Sequence, residues 1–306
     1  MEGLPHWFIV YNPRMLGLAP MEPVDYLVIG HVTEDVTLAG PRLGGTAAFS
    51  ALTARALGLR VGVVTSANKE RAQDPYEGFL APLQEGAQVV SIPSVYTTTF
   101  ENIHTRPSGG RMQILHHQAT AIALENVPDA WRKAAIVHLG PVAQEVDPKT
   151  AQDFSASVLG ITPQGWMRTW DDSGRVSACK WESAETLLPQ AGAVVISRED
   201  VGGDEELIES MAHQTRLLAV TEGPAGSVLY WNGDRRRFRA PEVTEVDNTG
   251  AGDIFAAALF VRLYATRDPW EAARFATRLA SYSVTRVGLS GIPTRKEVEE
   301  STMEVL

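Results

Sequence analysis

Residues Val246 to Leu259 read VDNTGAGDIFAAAL, an acid, two glycines and a second acid running directly into strong helix formers. The first turn of a helix leaves amides without intrahelical acceptors and carries a partial positive charge, and glycines let those amides approach a ligand. Gly250, Ala251 and Gly252 therefore read as an anion cradle opening a helix, with Asp253 in its first turn. Judged alone, Asp253 reads equally as a dipole partner or cap. Asp247, six residues upstream, changes the balance: one acid is placed to bind a cation and the other to take a proton beside the amides. The stretch has no Lys followed by Ser or Thr after its second glycine, as a Walker loop needs, and lies far from the first strand, unlike a dinucleotide fingerprint. A late anion cradle with an acid at its tip points to phosphoryl transfer onto a hydroxyl.

Upstream of this stretch, short apolar runs recur at 26–29, 61–64, 135–139, 157–161, 193–196 and 217–221, rich in β-branched residues. Runs that are apolar on both faces suit central parallel strands covered by helices. Helical patterns lie between and after them, at Thr46 to Leu57, Ser183 to Leu188, Asp204 to Thr215 and Pro269 to Arg286. The alternation predicts βαβ units and a parallel sheet. Residues 31–43 and 95–118 alternate polar and apolar instead, with a turn at Pro107-Ser108-Gly109-Gly110. They read as antiparallel strands of a small projecting sheet, either a lid over a ligand or a plain surface hairpin. The expectation is a three-layer α/β/α sandwich with a mostly parallel central sheet and a small β lid.

The chain has 306 residues, 44% hydrophobic and 21% charged, enough to bury a large core. A net charge of -10 argues against sequence-independent binding to nucleic acid or an anionic membrane. The basic run Arg235-Arg236-Arg237 is short and reads as a solvated hairpin face. Cys179 is the single cysteine, which rules out an intrachain disulfide and suits a cytoplasmic protein. Residues 1–24 read as an extension: Pro5, Pro13, Pro20 and Pro23 break up its apolar piece, and no stretch of the chain is a membrane span.

Val246 to Asp253 resembles the C-terminal signature of the ribokinase-like, PfkB-type carbohydrate kinases, whose usual form is close to D-T-x-G-A-G-D. Other landmarks of that family stand in order across about residues 25–298: Gly30 and Asp35, Gly44-Gly45 opening a helix, His138 to Pro141, Gln164 to Arg168, Thr221 to Gly226, and Arg274 to Gly288. The resemblance implies one kinase domain over 25–306 that uses ATP and magnesium and acts on a small sugar or polyol; the exposed edges of lid strands can pair across a homodimer, and a monomer is equally compatible. It implies Asp253 as the base that deprotonates the acceptor hydroxyl, with the Gly250, Ala251 and Gly252 amides stabilising the transferring group. Loose phosphoryl transfer needs alignment and charge stabilisation of this kind.

The same resemblance implies that Asp35, Gly44 and Gly45 meet the acceptor, and that Ser197, Thr221, Gly223, Gly226, Ala280 and Ser283 line the nucleotide. It implies that Asp247 and Thr249, with Ser283 and Gly288, form a loop for a monovalent cation such as potassium. Two departures stand out. The family's Asn-x-x-Glu is here Ser197-Arg198-Glu199-Asp200, leaving Asp200 to order magnesium's waters. The Asn four residues after Gly-Gly is here Phe49, whose ring cannot bond a hydroxyl. The form G-G-x-A-x-F, with Phe100 in Thr99 to Asn102 and Arg168 in Pro163 to Arg168, looks most like the myo-inositol kinase branch. A cyclic polyol acceptor is therefore expected, with other sugars, nucleosides and a catalytically silent sensor as alternatives. Arg106, Arg111 and Arg168 are candidates for a phosphate clamp or surface pairs. His31, His104, His116 and His117 read as packing or surface residues, and Trp166 and Trp170 as core.

Overall fold

The computed structural model describes residues 21–68, 70, 78–104, 111–154 and 158–302. Residues 1–20 of the expected extension, Arg106 and the turn at 107–110 lie outside the described residues, as do the side chains of His104 and Arg111. Nine strands form the main sheet: β1 (Tyr26–Ile29), β4 (Val61–Asn68), β5 (Gln88–Ser94), β8 (Ile136–Leu139), β9 (Val158–Ile161), β12 (Ala193–Ser197), β13 (Leu217–Thr221), β14 (Ser227–Trp231) and β15 (Asp234–Phe238). Their order is β15-β14-β13-β12-β9-β8-β1-β4-β5. Pairings from β13 to β5 are parallel, while β14 and β15 fold back antiparallel at one edge.

Alternate side chains explain the layers, because successive residues of a strand point to opposite faces. Tyr26 and Val28 join one core with Val61, Val63, Val195 and Ala219. Leu27 and Ile29 join a second core with Val137, Leu139, Val194 and Ile196. The first core is covered by helices α1 (Thr46–Ala56), α3 (Ala251–Thr266) and α4 (Pro269–Ser283). Ile254 to Phe260 of α3 are all buried, as expected of a helix clasped between a sheet and two other helices. The second core is closed by short 3₁₀ turns, Trp131, Trp166, Trp181 and α2 (Glu205–Gln214). Trp166 is thus core, stacked on Trp181, and half-buried Trp170 packs beside a smaller cluster around Phe100.

The two alternating segments form a separate four-stranded sheet, β3-β2-β6-β7, from β2 (Thr33–Val36), β3 (Arg42–Gly44), β6 (Thr98–His104) and β7 (Arg111–His117). Two of its pairings are antiparallel, as the alternating pattern predicts, but β2 and β6 run parallel, because they follow β1 and β5, two strands of the main sheet that run the same way with β4 between them. A hairpin of β10 (Arg168–Trp170) and β11 (Val176–Ala178) touches β7 through a bridge between Ile114 and Arg175. Arg235–Arg237 stand exposed on β15, Arg236 over the Trp270 ring and Arg237 paired with Glu222.

Candidate functional site

The loop at 246–250 ends on Gly250, whose φ of 77° is the left-handed turn that glycine tolerates best. A side chain there would also strike the Phe49 ring, 2.3 Å from an ideal Cβ. Phe49 is 1% exposed and supports this turn from beneath, so its ring packs under the loop and does not face open space. The Ala251 amide closes the turn onto the Asn248 carbonyl at 3.2 Å, and the Ile254 amide bonds Gly250. Of the three cradle amides expected, that of Ala251 is therefore already engaged. Among the described residues the amides of Gly250, Gly252 and Asp253 have no carbonyl acceptor. Gly252 is exposed, leaving the cradle open to an incoming anion.

Asp253 sits half-buried at this opening, its Oδ1 accepting the Thr46 hydroxyl at 2.7 Å. Burial pushes its carboxyl from 3.8 up to about 6, while the Thr46 bond and Arg168 pull the other way and Asp35 and Asp200 reinforce the rise. Three charged groups from three parts of the chain thus act on one acid. Asp35 stands on β2, its Oδ1 accepting the Thr33 hydroxyl at 2.9 Å. A Cβ on Gly44 would come within 2.3 Å of its other oxygen, so the glycine is what lets the two strands close here. Gly45, at φ 85°, turns the chain into α1 under the His31 carbonyl. Phe100, 4% exposed, lies opposite Asp35 in the β2–β6 register, and the Arg168 guanidinium is 5.9 Å from its ring centroid.

Asp200 follows β12, with Oδ2 accepting the Ser197 amide at 2.9 Å and Oδ1 accepting the Gln164 side chain at 3.0 Å. Ser197 pairs with Thr221 across β12 and β13, and Gly223 and Gly226 make the next turn at φ 56° and 96°. Beside that turn, Glu222 is gripped by Arg198 and Arg237. Ala280 and Ser283 end α4, Ser283 buried and donating to the Ala280 carbonyl at 2.8 Å. Asp247 accepts the Thr249 amide at 2.9 Å and the Gly288 amide at 3.0 Å, clipping the loop to the turn that follows α4. Burial opposes its charge, yet the Thr249 and Gly288 bonds and Arg42 hold its carboxyl below the ordinary value.

Several residues at the site carry no motif signal. Thr46 and Ser50 are small polar residues one helical turn apart, a pattern shared by countless helices. Behind them, His138 Nδ1 meets the Tyr26 hydroxyl at 2.8 Å and Nε2 meets Thr162 at 2.9 Å, and burial drops the imidazole to about 3, so it is neutral. Buried Glu145 accepts the amides of His31, Val142 and Ala143 where the main sheet passes into the small sheet. His31 packs there too: its Nε2 donates to the Thr120 carbonyl, so its Nδ1 accepts from Thr98. His116 pairs with Glu101 and His117 stacks on Tyr96. Among the described residues no three His, Cys, Asp or Glu side chains form a metal cage. Magnesium fits such a site when held by one carboxylate, water and the donor's phosphates, and Asp200 is the carboxylate suited to it.

With this geometry in hand, residues 174–295 match the model of the pfkB family carbohydrate kinases. Over these residues the chain is similar to the pfkB family carbohydrate kinases. The chain is similar over 298 residues to inositol 3-kinase of Oryza sativa subsp. japonica, at 28% identity, covering 89% of this chain and 71% of that one. It is 26% identical over 199 residues to probable fructokinase-6, chloroplastic, of Arabidopsis thaliana, covering 58% of this chain and 52% of the fructokinase, about half the relative's length. Its fold matches the sulfate-complex structure of a pyrophosphate-dependent kinase in the ribokinase family with a TM-score of 0.75 at 22% identity, over 90% of this chain and 99% of that one. The chain therefore has the ribokinase fold. Among the described residues no helix is long and apolar enough to cross a membrane.

Proposed function

We propose that this protein transfers the terminal phosphoryl group of ATP to a hydroxyl of a sugar or cyclic polyol, with Asp253 as base. The observation that carries the reading is Asp253 itself: a carboxyl raised to about 6, beside amides with no carbonyl acceptor among the described residues, and acted on by Arg168, Asp35 and Asp200. A base poised near the working pH removes the acceptor's proton, while the Gly250 and Gly252 amides meet the charge on the transferring oxygens. Asp35 and Arg168 orient the acceptor against Phe100, and the lid sheet excludes water from the reaction.

Thr221, Gly223, Gly226, Ala280 and Ser283 line the donor side. Asp200 would hold magnesium through water, and that ion supplies the neutralisation of the donor's phosphate charge. A potassium ion at Asp247 and Thr249 would share the Asp247 carboxylate with two amides already bound to it. A cyclic polyol is the favoured acceptor, supported by a match to the Oryza inositol 3-kinase at 28% identity over 89% of this chain, where probable fructokinase-4 of Arabidopsis thaliana matches at 23% over 84%. The test is ADP release with Mg²⁺, ATP and a panel of myo-inositol, fructose, ribose and adenosine, with a parallel series in which pyrophosphate replaces ATP and formation of the phosphorylated acceptor with orthophosphate release is measured. Turnover is expected to be fastest with myo-inositol and ATP. Nucleotide binding without turnover on any acceptor would favour a silent regulator instead.

A further inference from the structure

Two hydroxyls of α1 hold Asp253 at two places. Thr46, the first residue of the helix, donates to the carboxylate Oδ1 at 2.7 Å, and Ser50, one turn later, reaches the Asp253 carbonyl at 3.4 Å. Thr46 has little freedom to do otherwise. It is 3% exposed and β-branched, and its methyl occupies the space left by Gly140, where an added Cβ would lie only 2.4 Å from Thr46 Cγ2. With the methyl wedged there, the hydroxyl is turned towards the acid. Ser50 is backed by the buried Tyr26 hydroxyl, itself tied through His138 to Thr162.

We propose that Thr46 is the positioning residue of the base: its locked hydroxyl occupies one carboxylate oxygen of Asp253, leaves the other to the acceptor hydroxyl, and keeps the acid ionised in a buried place. The inference rests on the kinase reading for its purpose but not for its chemistry. A hydrogen bond donated to a carboxylate favours the charged form, against the burial that disfavours it. The other groups that act on this acid come from separate elements: Arg168 from β10, Asp35 from β2, Asp200 from the turn after β12, and Tyr26 from β1.

The experiment compares Thr46→Val, which keeps the shape and removes the donor, with Thr46→Ser, which keeps the donor, both in the full chain. The Asp253 titration is followed by ¹³C NMR of Asp-labelled protein, assigned with Asp253→Asn, alongside the acid limb of kcat/KM. Thr46→Val should move both up by about one pH unit, the size of one charge-assisted hydrogen bond, and Thr46→Ser should stay close to the parent. If Thr46→Val does not fold, Gly140→Ala, which displaces the Thr46 methyl, should move the titration the same way. An unmoved titration in Thr46→Val, or in Gly140→Ala where it stands in for that variant, or a Ser variant shifted as far as the Val variant, overturns the proposal. The NMR titration needs no turnover, so it stands or falls separately from the kinase reading.

Discussion

Asp247 and Asp253 stand six residues apart, at the two ends of one loop, and differ in almost everything that decides what a carboxylate does. Asp247 spends its oxygens on the Thr249 and Gly288 amides and is held below its ordinary pKa. Asp253 has a single hydroxyl donor, Thr46, more burial than compensation, and a pKa pushed up to about 6. A saturated carboxylate is a clip, because its charge is already neutralised by dipoles that hold the backbone in place. An under-satisfied one is a base, because its charge has not been met and a proton on a nearby hydroxyl can meet it.

The largest effect that would break this contrast is on turnover. Asp253→Asn keeps the shape and the Thr46 contact but cannot take a proton, so kcat should fall by about 10²–10⁴-fold with acceptor binding retained, measured by coupled ADP release and calorimetry. Asp247→Asn should reduce turnover far less, since its partners are backbone amides outside the cradle.

Stability should move in opposite directions, a smaller but sharper distinction. Asp253 has its folded pKa raised, so its contribution to stability is present at acid pH and is lost as pH rises from 3.8 through about 6. Asp253→Asn should therefore raise Tm at pH 8, by an amount equivalent to about 1–3 kcal/mol, and change it little at pH 4. Asp247 has its folded pKa depressed, so it stabilises above its unfolded value and that stability is lost as pH falls. Asp247→Ala leaves two amides without their acceptor and should lower Tm at pH 8 by the equivalent of about 1–3 kcal/mol. Scanning calorimetry of both variants at pH 4 and pH 8 checks the pair of signs.

How much of this was legible in sequence follows from the range of each interaction. The parallel core strands announce themselves because both faces are buried, so β1, β12 and β13 read as near-continuous apolar runs and β8 as one broken only by His138. Gly250 to Asp253 is legible because a glycine turn and a helix start are local events. The hairpin of β14 and β15 carries exposed arginines, and the edge strand β5 is interrupted by polar and proline residues, so neither looks like sheet interior. The parallel pairing of β2 with β6 joins residues more than sixty positions apart and has no local signature. Phe49 was legible as a departure from the family's Asn, but its burial beneath Gly250 depends on α1 and α3 crossing. Thr46, Ser50, His138 and Glu145 act only through such crossings.

The pH dependence of kcat/KM for the best acceptor tests the central claim most directly. The free enzyme's acid limb should have its midpoint at about 6, the value to which burial raises Asp253, with activity lost as pH falls through it. A profile that stays flat down to pH 4.5, or one whose acid limb survives unchanged in the residual activity of Asp253→Asn, would contradict the assignment of this carboxylate as the base.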